Sequence, residues 1–118
     1  GYDWLDLTGL NFAGRDLSGI NFSNVNLSGS VMDDCTFIES SFVMSEMQGC
    51  SCQRADFYMA RMEEVDLSNS DLMDANFCSA GLSESILRHV KASSARFEEA
   101  DLTGAQLQGA YLRDASFT

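Results

Sequence analysis

Residues 100–117 read ADLTGAQLQGAYLRDASF, with Leu102, Leu107, Leu112 and Phe117 at intervals of five and Ala100, Ala105, Ala110 and Ala115 two residues before each. An α-helix repeats its apolar face about every 3.6 residues and a half-buried strand about every 2. Neither accounts for a period of five. The same rhythm runs outward from this stretch through almost the whole chain. Every residue whose number leaves a remainder of two on division by five, from Leu7 to Phe117, is apolar, and only Cys52 and Ala92 among them are not large. The register never slips.

With that residue taken as the centre of a pentad, the position two before it is mostly small, as at Ser40, Cys50, Ala55 and Ala75. Between the two stands a frequent Asp or Asn, as at Asp6, Asn11, Asp56 and Asn76, and after the centre often come Ser or Thr and then Gly. Alternation along extended backbone sends the small and the large residue inward and the residue between them outward. Gly and Asn at the close of a pentad relax the backbone sterics of a corner. Each pentad therefore predicts one short side and one corner.

The phenylalanines fix how many sides make a turn. Phe centres are twenty apart five times (Phe22 to Phe42, and along Phe37, Phe57, Phe77, Phe97 and Phe117), fifteen apart twice and twenty-five apart once. Stacked rings attract one another, so twenty residues, or four pentads, make one turn. At a coil spacing near ~4.8 Å, about six coils give a rod about 28 Å long. The absence of Pro suits an uninterrupted backbone ladder, in which each Pro would remove a donor.

The motifs ADLTG, VDLSN, ADFYM, ANFCS and VNLSG resemble those of pentapeptide-repeat proteins, whose pattern is a small residue, Asp or Asn, Leu or Phe, and two variable positions. The resemblance covers Leu5 to Thr118. It implies an all-β fold, a right-handed quadrilateral parallel β-helix, in agreement with the count of four pentapeptides per coil. Residues 1–118 are expected to form a single domain of this kind. The chain lacks an initiator Met, and its repeat is already running by Leu5, so it is read as an excised domain or fragment of a longer protein.

Some positions depart from the pattern. Ala92 is small for a centre, but Val90 two before it is large for its place, so their volumes compensate. Arg15 occupies an inward position and cannot be buried unpaired, which predicts an open end where its guanidinium reaches water. Leu5, Leu10, Ile20 and Val25, with Tyr2 and Trp4 nearby, predict a first coil that partly closes on itself. At the other end GAYLRDASFT stops in mid-repeat, and an uncapped coil exposes strand edges. The resemblance implies a homodimer formed by end-to-end stacking of terminal coils.

Composition narrows the function. Seven Lys and Arg against 18 Asp and Glu give a formal charge of −11, which opposes direct binding to nucleic acid or to an anionic membrane. No apolar run is long enough to span a bilayer as a helix, and GYDWLDLTGL is not a signal peptide. By face, the pentads centred in register with Leu7, Phe12, Leu17 and Phe22 carry −2, −2, −3 and −4, the last including Asp3. The charge is thus spread rather than striped.

Little catalytic chemistry is encoded. Cys35, Cys50 and Cys52 fall at inward positions and read as small buried hydrophobes, and a lone C-x-C is not a zinc site. Cys78 points outward, a reactive thiol or a surface residue in a reducing, cytoplasmic compartment, and no disulfide is expected. His89, the only histidine, lies at a corner beside Arg88 with no nucleophile in reach. The adjacent carboxylates Asp33–Asp34, Glu63–Glu64 and Glu98–Glu99 are placed on a side and its corner in open solvent, without the burial that tunes a catalytic acid. No enzyme, cofactor or metal site is expected.

Exposed apolar residues do cluster. Ile38, Tyr58 and Cys78 follow their centres at intervals of twenty and stack on one face, with Met59 at the adjoining corner and Val43 and Met44 on the next side. Tyr and Met are favoured at binding surfaces. These six are the candidate partner-binding residues of a non-catalytic module that presents a rigid rod to another protein. The resemblance adds two alternatives: a DNA-mimic regulator of type II topoisomerase of the quinolone-resistance kind, and a targeting or substrate-recognition segment of a secreted bacterial effector. The first is at odds with a chain of about six coils and no projecting loop.

Overall fold

The computed structural model describes residues 5–118. Among them there is no helix, and the only two-residue strands are β1 (Leu5–Asp6) and β2 (Val25–Asn26), paired in parallel with Leu5 opposite Val25 and Asp6 opposite Asn26. Beyond them each side contributes a single parallel bridge, always to the residue twenty ahead: Asn11 to Val31, Asp16 to Thr36, Asn21 to Ser41, and so on to Arg96 and Ser116. Four pentads per turn, inferred from the phenylalanines, is therefore the register of the ladder. A side is too short for a long strand, yet every coil is hydrogen-bonded to the next, as in Phe57 N to Asn76 O at 2.7 Å and Asn76 N to Ala55 O at 2.9 Å.

The corners explain the period. The residue three after a centre commonly donates its N–H to the centre's carbonyl, as in Ala60 N to Phe57 O at 2.9 Å. Every residue two after a centre, from Gly9 to Asp114, has φ between 57° and 77°. A positive φ at the third residue alone is the type II turn, which favours Gly or Asn there. Seven of these corner residues are Gly and fifteen are not. Gly and Asn thus mark only some of the corners; Met, Glu, Asp, Arg, Ser and His adopt the same left-handed conformation elsewhere because the ladder on both sides holds them in it.

Between the corners the centres form a dry interior. From Leu27 to Phe97 every centre is at most 2% exposed, with Val90 and Ala92 both buried as a compensating pair. Rings twenty apart lie flat on one another: Phe37–Phe57, Phe57–Phe77, Phe77–Phe97 and Phe97–Phe117 have centroids 4.9 to 5.2 Å apart and planes within 14° of parallel. Rings fifteen apart meet edge to face, at 83° for Phe22–Phe37 and 68° for Phe42–Phe57. Both geometries are favourable, and only the axial one propagates.

The inward small position has a second use. Ser40 Oγ donates to Leu17 O at 2.8 Å, Cys50 Sγ to Leu27 O at 3.1 Å and Ser70 Oγ to Met47 O at 2.7 Å, each reaching a centre's carbonyl in the preceding coil. Ser and Cys are thus small side chains that also satisfy a corner carbonyl.

The first coil differs from expectation. Leu5, Leu10 and Ile20 are 61%, 44% and 41% exposed and do not close it. An inward side chain is covered only when a coil lies on each side of it, and among the described residues none lies on that side. Arg15 is exposed there, as its charge requires. Tyr2 and Trp4, expected near this coil, fall outside the described residues.

Candidate interaction surface

With the interior filled, any function of the described residues sits on the outward positions, and their geometry follows from how each side is held. The Asp or Asn before a centre accepts a hydrogen bond from the N–H of the residue after it. Asp56 Oδ1 takes the Tyr58 N–H at 3.0 Å, and Asn76 Oδ1 takes the Cys78 N–H at 2.9 Å. These Asx turns give the recurrent Asp or Asn its purpose. Where a pentad has another residue there, a coil neighbour substitutes: Ile38 N donates to Ser18 Oγ at 3.1 Å.

The candidate column is thereby fixed. Thr36 bridges Asp56 and Asp56 bridges Asn76, so Ile38, Tyr58 and Cys78 stand in register along one side. Tyr58 is 40% exposed, and Met59 and Met44 project from left-handed corners at 45% and 46% exposure. Ile38 and Val43 are half-buried. Val43 also lines a shallow groove of about 430 Å³ with Ile20, Ser23, Glu39, Ser41 and Arg61. The apolar surface therefore turns a corner and occupies parts of two adjoining sides.

Cys78 belongs to a different constellation. Its Sγ donates to Glu98 Oε2 at 3.1 Å, and Ser116 Oγ donates to the other carboxylate oxygen of Glu98. Burial, and then the Glu98 carboxylate, raise the Cys78 thiol pKa, so this is a protonated donor rather than a nucleophilic thiolate. The same contacts, Ser116 first and Cys78 second, lower Glu98 from 4.5 to about 2. Cys35, Cys50 and Cys52 are buried free thiols whose pKa values burial pushes up, Cys52 most of all.

The paired carboxylates are not all in open solvent. The residue after a centre lies beside the residue before the next coil's centre, eighteen positions on. Asp33 Oδ1 accepts from Ser51 Oγ at 2.6 Å and Gln53 N at 2.8 Å, and Gln48 Nε2 donates to Asp66 at 2.8 Å by the same step. Glu63 has a buried Oε1 without a partner and lies 3.9 Å from Arg61. Arg54 forks onto Asp34 at 2.7 and 3.1 Å across one coil. Solvent screens such exposed pairs, so they orient side chains more than they stabilise the fold. Among the described residues no three metal-ligating side chains converge, and no helix is long and apolar enough to cross a membrane.

A second apolar exposure escaped the sequence reading. Met73 and Tyr111, 40% and 52% exposed, line a groove of about 440 Å³ with His89, Val90, Lys91, Ser93 and Gly109. The signal was available: Met73 and Tyr111 flank centres Leu72 and Leu112, forty residues apart and so on one side of the rod.

Comparison with known sequences bears directly on the repeat. Residues 7–66 match a model of pentapeptide repeats in nine copies, and residues 50–88 and 80–118 match a second such model, of eight copies. The chain belongs to the pentapeptide-repeat family. As a pentapeptide-repeat protein it is similar in fold to Rfr23 of the cyanobacterium Cyanothece 51142, with a TM-score of 0.79 and 15% identity over 97% of this chain and 88% of that one. It is also similar to the pentapeptide-repeat protein alr5209 of Nostoc PCC 7120, with a TM-score of 0.64 and 19% identity over 75% and 84% of the two chains. These likenesses establish the right-handed quadrilateral β-helix and nothing about activity. A weaker one, to the plasmid-mediated fluoroquinolone resistance protein QnrB1, has a TM-score of 0.41 at 19% identity over 93% of this chain and 61% of that one, and carries no functional argument. No curated protein matches the chain.

Proposed function

We propose that this pentapeptide-repeat β-helix is a non-catalytic interaction module that captures another protein through the corner-turning surface of Tyr58, Met59 and Met44, supported by Ile38 and Val43. One observation carries the reading: three large apolar side chains, Tyr58, Met59 and Met44, stand 40% to 46% exposed over two adjoining sides of a rod whose centres from Leu27 to Phe97 are packed inside. Met on a binding surface adapts its shape, and Tyr contributes area at low entropic cost. The filled interior supports a non-catalytic role, as does the downward shift of Glu98, the opposite of what a general acid needs. Four free thiols, three of them buried, suit a reducing compartment such as the cytoplasm.

The test is capture by the immobilised domain from an extract of its native host, compared with the double variant Y58S/M59S. The variant is expected to keep its fold and melting temperature and to lose the specific prey. Equal capture by both proteins would remove this surface from the function.

A further inference from the structure

We propose that the groove between Met73 and Tyr111 is a second docking site, on a different side of the rod, and that its ligand is an acidic extended peptide with an apolar side chain. This goes beyond the surface of Tyr58 and Met59 and does not depend on it.

The groove exists because large and small residues alternate across three successive coils. Met73 is followed in its column by Ser93, and Lys91 by Tyr111. The His89 ring stands directly over Gly109, where an added methyl group would meet its ring atoms. The low floor of Ser93 and Gly109 between Met73, His89 and Tyr111 leaves a notch of about 440 Å³. That volume suits one or two side chains of a peptide rather than a whole folded partner.

Charge selects the peptide. The protein carries −11, yet the stretch Arg88–His89–Val90–Lys91 brings two cations and the sole histidine to this corner. Ion pairs within 4.0 Å hold Arg54, Arg61, Arg96 and Arg113, but among the described residues neither Arg88 nor Lys91 has one. Asp71 is the bridge partner of Lys91, but its carboxylate is already engaged by Gln53 Nε2 at 2.6 Å and Met73 N at 3.2 Å. Arg88 stands in its column between Ser68 and Gln108, and His89 between Asn69 and Gly109, with no acid in either place. The apolar lining seats a side chain, and two unpaired cations beside it receive carboxylates. The field of the whole molecule turns away a long polyanion, while a short acidic segment feels mainly the local charges.

The experiment uses fluorescence anisotropy at about 50 mM salt with three labelled probes: the peptide Glu-Asp-Phe-Glu-Asp, its neutral counterpart Gln-Asn-Phe-Gln-Asn, and a thymidine decamer. The acidic peptide is expected to bind saturably and the neutral one at least tenfold more weakly. K91Q and R88Q should each weaken the acidic peptide several-fold, and M73S should do the same through the apolar seat. All three are exposed positions, and an unchanged circular dichroism melt verifies each fold. The Y58S/M59S protein should bind the peptide as the wild type does. Equal affinity for the neutral peptide, unaltered binding by K91Q and R88Q, loss of binding in Y58S/M59S, or a decamer that binds as tightly as the acidic peptide would each overturn the assignment.

Discussion

Phe57 lies flat on Phe77, with centroids 4.9 Å apart and planes 3° from parallel, and Phe77 lies on Phe97 in the same way at 5.2 Å and 4°. Each ring is the floor for one neighbour and the ceiling for the other, so the stack couples coils in addition to the backbone ladder and the inward Ser and Cys hydrogen bonds. Removing a ring from the middle of the column is expected to cost more than its own burial. F77A should destabilise the protein by about 3–5 kcal/mol, whereas F77L, which keeps most of the volume, should cost about 1.5 kcal/mol or less. Urea unfolding followed by far-ultraviolet circular dichroism reads both. An F77L midpoint equal to that of the wild type would mean that the stack adds nothing beyond filled space.

The corners offer a test with opposite signs. Gly29 has φ of 73° with no atom within 4 Å of where a Cβ would stand, so a side chain there meets backbone strain and no clash. G29A should cost about 1 kcal/mol. Glu39 already bears φ of 59°, and E39G should be neutral or stabilising by up to about 1 kcal/mol, the relief of strain being partly offset by the freer unfolded chain. Thermal melts of the two variants decide this, and a loss of stability in E39G would show that the ladder makes this corner conformation free of strain.

Inward serines should divide into two kinds. Ser70 Oγ accepts from Cys50 N at 3.1 Å and donates to Met47 O at 2.7 Å, standing between the two ends of a corner in the coil above. S70A leaves both backbone groups short of a partner and should cost about 1–3 kcal/mol. Ser85 Oγ is buried with no partner, so S85A should be neutral or stabilising. Denaturant midpoints distinguish the pair, and an equal loss in both would mean that hydrogen bonding is irrelevant at this position.

Acid should loosen the protein through its bound carboxylates. Glu98 is lowered from 4.5 to about 2, first by Ser116 and then by Cys78, and Asp6, Asp16, Asp34 and Asp101 are lowered in the same direction by neighbouring hydrogen bonds. A carboxyl more acidic in the folded than in the unfolded chain stabilises the fold fully above its unfolded value, and that stability is lost as pH falls through the folded value. Unfolding midpoints should therefore decline from pH ~5 down to pH ~2. S116A should flatten the lower end of the decline by releasing Glu98. A wild-type profile that is level across this range would contradict the assignment.

The core could be read from the chain because its period has one geometric meaning: an unbroken series of apolar centres from Leu7 to Phe117 has to face one way, and the twenty-residue spacing of Phe37, Phe57 and Phe77 then sets the turn. The outer surface was less legible because it depends on contacts between coils. The part played by Asp56 is invisible until its oxygen is seen on the Tyr58 N–H. The left-handed φ of Met44, Met59 and His89 is imposed by the ladder against their local preference. The Met73–Tyr111 groove depends on two small residues, Ser93 and Gly109, that carry no signal of their own. Cys78 looked like a free surface thiol because Glu98 is twenty residues away in sequence and only 3.1 Å away in space.

The single uniform step of the ladder has a consequence for how such a molecule changes over time. Each pentad is a quarter turn, so the gain or loss of five residues anywhere leaves the apolar interior in phase and swings everything after it onto the neighbouring wall. One lost pentad between Met73 and His89 would keep a sound core but part Met73 from Lys91 and Tyr111. Only gains or losses of a full turn, twenty residues, return each outward side chain to its former wall. The scaffold thus tolerates length changes in small increments, while whatever it displays is preserved only in large ones.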